Sequence, residues 1–176
     1  MATPPDFSPG QVLTAAHMDA VGLWLVKTQT VGTGVSSVTV TGAFSDQFDN
    51  YLVTIAGGAL STTGVFTMQL GSTTTGYKYS LTYTIYGGAT LNVSSANYPY
   101  IPYVGIGTVD GLAGSCEVLS PNLAKNTYVR APWSSAVEGG FMGGTIQNTT
   151  QYTAFTLGIS AGTMTGGTIR VYGYRN

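Results

Sequence analysis

The chain has 176 residues, of which 7% are Asp, Glu, Lys or Arg, with a formal net charge of −1; an ordinary soluble domain carries about 25%. No basic patch is available to neutralise phosphates, so nucleic-acid binding is not expected. With 43% hydrophobic residues and twelve tyrosines the composition is that of a folding chain, and the length suits one domain with its own core.

Pro4, Pro5 and Pro9 give the first residues an extended, polyproline-like character. Thr14 is a favoured N-cap, and the helix-tolerant residues 15–21 run up to Gly22, which predicts a short N-terminal helix ending in a glycine stop. Two turns are marginal alone, so this segment needs a surface to dock on. Residues 1–22 therefore read as an arm and 23–176 as a β domain. The first residues lack the positive and apolar regions of a signal peptide, and the longest apolar run, 21–26, is far below the roughly 20 residues of a membrane span. Synthesis and folding in a cytoplasm, without membrane insertion, are the expectation.

From Leu23 onward the pattern is β. Strands are predicted at 23–30, 35–41, 51–55, 65–70, 77–85, 103–109, 115–119, 127–130, 145–147, 153–159 and 168–174. The clearest is 77–85, where Tyr77, Tyr79, Leu81, Tyr83 and Ile85 share one face. Residues 91–102 read as a long aromatic loop, since Pro99 and Pro102 do not fit an interior strand. The pairs Gly57-Gly58, Gly87-Gly88, Gly139-Gly140, Gly143-Gly144 and Gly166-Gly167, with Asp110-Gly111 and Gly71-Ser72, read as turns. Some ten short strands with regular turn signals predict an all-β fold: an antiparallel, jelly-roll-like β-sandwich behind a short N-terminal arm and helix.

The residues offer little for catalysis. One histidine, His17, and one cysteine, Cys116, cannot assemble an intrachain zinc site or disulfide. Cys116 lies in an apolar run and reads as a small buried hydrophobe. No Gly-x-Ser-x-Gly elbow or phosphate-binding loop is present. The seven carboxylates are scattered, and Asp46 and Asp49 read as turn residues rather than calcium ligands. The expectation is no enzyme, no cofactor and no metal.

Two features remain. The only lysines are Lys27, Lys78 and Lys125, too few to blunt the edges of a sandwich, so self-association is expected. Tyr98, Tyr100 and Tyr103 gather around the prolines, and Trp133 follows Pro132. These rings either pack a sandwich end or subunit interface, or form a platform for a ligand such as a sugar.

The phrase Phe7-Ser8-Pro9-Gly10-Gln11-Val12-Leu13-Thr14-Ala15-Ala16-His17-Met18-Asp19-Ala20 resembles the opening of small structural proteins of tailed bacteriophages, with Asp19 where Asn is common. Residues 29–40, Ala43-Phe44-Ser45, 48–53 and the ending 167–174 resemble virion proteins of the same kind. The resemblance implies a virion surface protein, made in the host cytoplasm and released by lysis, that projects a β-sandwich as a homotrimer. It would be a capsid decoration, head-fibre or tail-fibre-like protein bound to the major capsid or tail proteins. Phe7, Val12, Leu13, Met18 and Val21 are the expected anchoring residues, being the apolar members of the arm. The alternative is an adhesin- or lectin-like carbohydrate-binding module that uses Tyr98, Tyr100, Tyr103 and Trp133 on a host-surface glycan. A polysaccharide-cleaving spike is a third reading, opposed by the small size and few carboxylates.

Overall fold

In this computed structural model residues 9, 10, 12, 14 and 22–174 are described. The predicted helix at 15–21 and the anchoring residues Phe7, Leu13, Met18 and Val21 lie outside them; Val12 is described and exposed. Among the described residues the chain is all-β and antiparallel, without a helix.

In chain order the strands are β1 (Leu23–Thr30), β2 (Thr33–Val35), β3 (Ser37–Val40), β4 (Asn50–Gly57), β5 (Ala59–Leu60), β6 (Gly64–Leu70), β7 (Tyr77–Ile85), β8 (Thr90–Tyr98), β9 (Ile106–Thr108), β10 (Gly111–Leu119), β11 (Thr127–Ser134), β12 (Glu138–Ile146), β13 (Phe155–Ile159), β14 (Met164–Thr165) and β15 (Thr168–Tyr174). Eight of them form one antiparallel path, β1-β15-β4-β10-β11-β12-β7-β8. A wing, β3-β13-β6-β9, joins this path where β9 pairs with the start of β10. The short strands β2, β14 and β5 make a separate three-stranded ribbon.

The core lies between the path and the wing. Alternation places Tyr51, Val53 and Ile55 of β4 inward, with Val129, Ala131 and Trp133 of β11 and Ile169 and Val171 of β15. The wing contributes Phe66, Met68, Leu70, Phe155 and Leu157, all fully buried. Phe44 links the two layers, its ring 4.9 Å from that of Tyr51 and 5.7 Å from that of Phe155. Cys116 is buried in this core, and burial pushes its thiol up to about 12.

Buried tyrosines also tie the loops. The Tyr77 hydroxyl accepts from the Leu70 N–H at 2.7 Å and donates to the Thr73 carbonyl at 3.2 Å, which closes the β6–β7 turn. Tyr51 does the same for Ser45, accepting from its N–H and donating to its carbonyl, both at 2.8 Å. Tyr77→Phe strips a buried N–H of its acceptor, so it is expected to lower stability by about 1–3 kcal/mol. Urea unfolding measures this, and an unchanged midpoint would contradict it.

Three sequence expectations need correction. Residues 91–98 are not loop but most of β8, paired to β7 along its length. Among the described residues no strand pairs with the far side of β8, and its polar, weakly alternating sequence carries no mark of a core-facing strand. The strand expected at 103–109 shrinks to β9, because Tyr103 has φ 57 and the segment before β9 is irregular. Gly139-Gly140 and Gly143-Gly144 are not turns; both pairs lie inside β12. A Cβ at Gly140 would sit 2.5 Å from Tyr83 Cβ, and one at Gly144 2.7 Å from Ile101 Cδ1. Glycine here makes room for a neighbouring side chain.

Candidate functional site

The inner face at one end of the sheet carries an aromatic cluster. Tyr83, Gly140 and Trp133 stand in one cross-strand row over β7, β12 and β11, with Leu91 of β8 beside Tyr83. Because Gly140 has no side chain, the Tyr83 and Trp133 rings meet across it at 5.9 Å. Tyr103 lies against the other side of Trp133, 5.3 Å away and tilted by 36°. Two residues further along β7, Leu81 and Val93 form the next inner row, and then comes Tyr79. The Tyr79 ring contacts Tyr98 edge-on at 5.2 Å, and Tyr98 contacts Tyr100 at 5.0 Å.

The segment that carries Tyr100 and Tyr103 is pinned down. Ile101 and Met68 exchange both backbone hydrogen bonds at 2.8 Å, the Val104 N–H donates to the Phe66 carbonyl, and the Phe66 N–H donates to the Gly105 carbonyl. Tyr103 adopts the left-handed backbone region, which non-glycine residues enter only when the surroundings force it. Burial, followed by the neighbouring phenols, pushes the Tyr79 hydroxyl up, and the Tyr100 hydroxyl likewise. Tyr103 is raised first by burial, then by Tyr83 and Glu138. These hydroxyls therefore stay neutral and can both donate and accept. The Trp133 indole N–H is buried without an acceptor.

The four aromatics expected from the sequence fall into two ring groups, Tyr98 with Tyr100 and Tyr103 with Trp133. Sequence reasoning missed Tyr79 and Tyr83 as members, although their shared face with Tyr77 and Leu81 was legible. It also missed Gly140, because a Gly pair ordinarily signals a turn.

On the outer face, β10 and β11 part after Glu117 and Arg130. Two adjoining hollows of about 500 and 320 Å³ open there, sharing Ser115 and Pro132 in their walls. Pro132 has no N–H to donate, and past Arg130 no strand pairs with β11 on the β10 side. Glu117 accepts a hydrogen bond from the Tyr174 hydroxyl at 3.0 Å. Among the described residues, no three of His, Cys, Asp and Glu gather as a metal centre would require.

Among the described residues, each end strand of the long path pairs on one side only, β1 with β15 and β8 with β7. β1 exposes Leu23, Trp24 and Leu25, and β8 exposes Leu91 and Val93. Lys27 is the only charged residue in the two strands.

No known protein family and no curated protein matches the chain. Among solved structures, it is weakly similar to chains of infectious bursal disease virus. The crystal structure of the VP2 subviral particle shares 11% identity over 86% of this chain and 40% of that one, with a TM-score of 0.16. The structure of the Gx strain of the same virus shares 10% identity over 99% of this chain and 46% of that one, with a TM-score of 0.15. The chain thus spans less than half the length of the viral chains it matches. A likeness at these TM-scores carries no functional argument.

Proposed function

We propose that the chain is a non-enzymatic structural protein on the surface of a bacteriophage particle, acting as a capsid decoration, head-fibre or tail-fibre-like protein. The arm, residues 1–22, binds the major capsid or tail proteins, and the β body projects as a homotrimer. The protein is made in the host cytoplasm and reaches its place in the virion before lysis.

The observation that carries this reading is the pair of edges left unpaired among the described residues. A protein that works as a monomer ordinarily blunts its edge strands with lysine, proline or a covering loop. Here β1 and β8 span eight and nine residues, show apolar side chains to solvent and hold one lysine between them. The path has eight strands, so β8 of one copy runs antiparallel to β1 of the next when copies repeat around an axis. The phage resemblance of residues 7–20 supplies the particle and the trimer.

Deleting residues 1–22 is expected to leave a folded β body that no longer joins particles. Circular dichroism of the truncated protein and its copy number on purified virions test this. Normal incorporation of a folded truncated protein would refute the anchoring role.

A further inference from the structure

We propose that the strip of rings on the inner face of β7 and β8 binds an uncharged oligosaccharide. This goes beyond the structural role and holds whether the chain sits on a head or a tail.

Three observations converge. First, the strip is long and ringed at intervals: Tyr79 and Tyr83 lie four residues apart on β7, a span of about 13 Å at strand rise. Tyr98 and Tyr100 extend one end, and Tyr103 and Trp133 the other. A sugar chain presents C–H faces that lie on aromatic rings, and hydroxyls at their margins. Second, the polar groups suit hydroxyls and not ions. The phenols are neutral donor–acceptors, and Glu138 is the charged neighbour of Tyr103. No lysine or arginine lies in β8 or β12, and Lys78 of β7 is on the opposite face. A carboxylate without a cation disfavours an anionic ligand. Third, the strip is rigid. Four backbone hydrogen bonds hold residues 101–105 on β6, and Tyr103 keeps a strained backbone that directs its ring onto Trp133. Rings held in place before binding lose little freedom on it.

A second copy of the chain could cover the same rings, so the test separates the two occupants. The full chain is probed on an array of uncharged hexose and N-acetylhexosamine oligosaccharides, with sialylated and uronic-acid oligosaccharides alongside. Binding is then titrated by the fluorescence of Trp133 in a Trp24→Phe background, since the sequence holds only two tryptophans. Two variants remove rings: Tyr83→Ala, and Tyr103→Gly, in which glycine suits the φ of 57. The expected result is binding to uncharged oligosaccharides with quenching or a shift of Trp133 emission. Each variant should weaken binding by about tenfold or more without changing the mass of the assembly. The proposal is overturned if no uncharged oligosaccharide binds, if only the anionic ones do, or if both variants bind like the wild type. It is equally overturned if losing the rings dissociates the oligomer, which would make the strip a contact between copies.

Discussion

Gly58→Ala is expected to be the most damaging single-methyl substitution in the molecule. Gly58 has φ 66, and an added Cβ would run into the Gly166 carbonyl and lie 2.6 Å from the Thr165 carbonyl oxygen. The left-handed conformation alone costs an alanine about 1–2 kcal/mol. Overpacking against backbone adds about 1–3 kcal/mol, because a carbonyl cannot rotate away as a flexible side chain can. A combined loss of roughly 2–5 kcal/mol is a large part of the 5–15 kcal/mol that keeps a domain folded. In a domain of this size it should lower Tm by about 4–20 °C. Gly76→Ala is the control: its φ is 82, and nothing lies within 4 Å of the new Cβ. It should show only the conformational part, about 1–2 kcal/mol. Equal melting shifts for the two variants would mean that the close approach of 57–58 to 166–167 does not govern stability.

Lysine at the β1 edge is expected to dissolve the oligomer while leaving the fold intact. Leu23 and Leu25 lie on the outer face beside Tyr174 and Tyr172, 44% and 50% exposed in the single chain. Substituting residues this exposed changes monomer stability by about 0.5 kcal/mol or less. In an interface the balance differs. The pair Leu23→Lys and Leu25→Lys would forfeit about 1.5–3 kcal/mol of apolar burial per leucine and leave two ammonium groups to desolvate. A loss of about 5 kcal/mol weakens association by roughly 10³–10⁴-fold. Light scattering should therefore read a trimer for the wild type and the 18.2 kDa monomer for the variant. Val93→Lys on β8 should have the same effect if β8 of one copy meets β1 of another. A wild-type monomer, or an oligomer indifferent to both sets of substitutions, would remove self-association from the proposed function.

Legibility varied with how strongly each segment faces the core. β7 was read over its full length, 77–85, because five apolar side chains alternate on one face and that face is buried at Tyr77 and Leu81. β15 was read correctly for the same reason, with Ile169 and Val171 inward. β8 was not, because an edge strand half in solvent has no need of alternation, and its residues are almost all exposed. β2, β5 and β14 have two or three residues each, too short for any period to register. At the aromatic cluster, Tyr98, Tyr100, Tyr103 and Trp133 were singled out by residue type and nearby proline. What joins them, the Gly140 gap and the hydrogen bonds from 101–105 to β6, depends on partners distant in sequence.

The class is readable from residue order alone: β-branched and aromatic alternation punctuated by glycine yields short antiparallel strands, and Cys116 in an apolar run becomes a core residue. These are local properties, set by the pleat and by the gain from burying apolar surface. Which strands are neighbours, and so which side chains meet, is a property of the folded chain as a whole. β4 pairs with β10 and β15, and β12 with β7, across separations that no local pattern encodes. Whether Gly140 is a turn or a seat for Tyr83, and whether β1 and β8 are covered or open, follows from that pairing. Strand pairing is settled by the free energy of the whole assembled core, whereas periodicity reports one segment at a time.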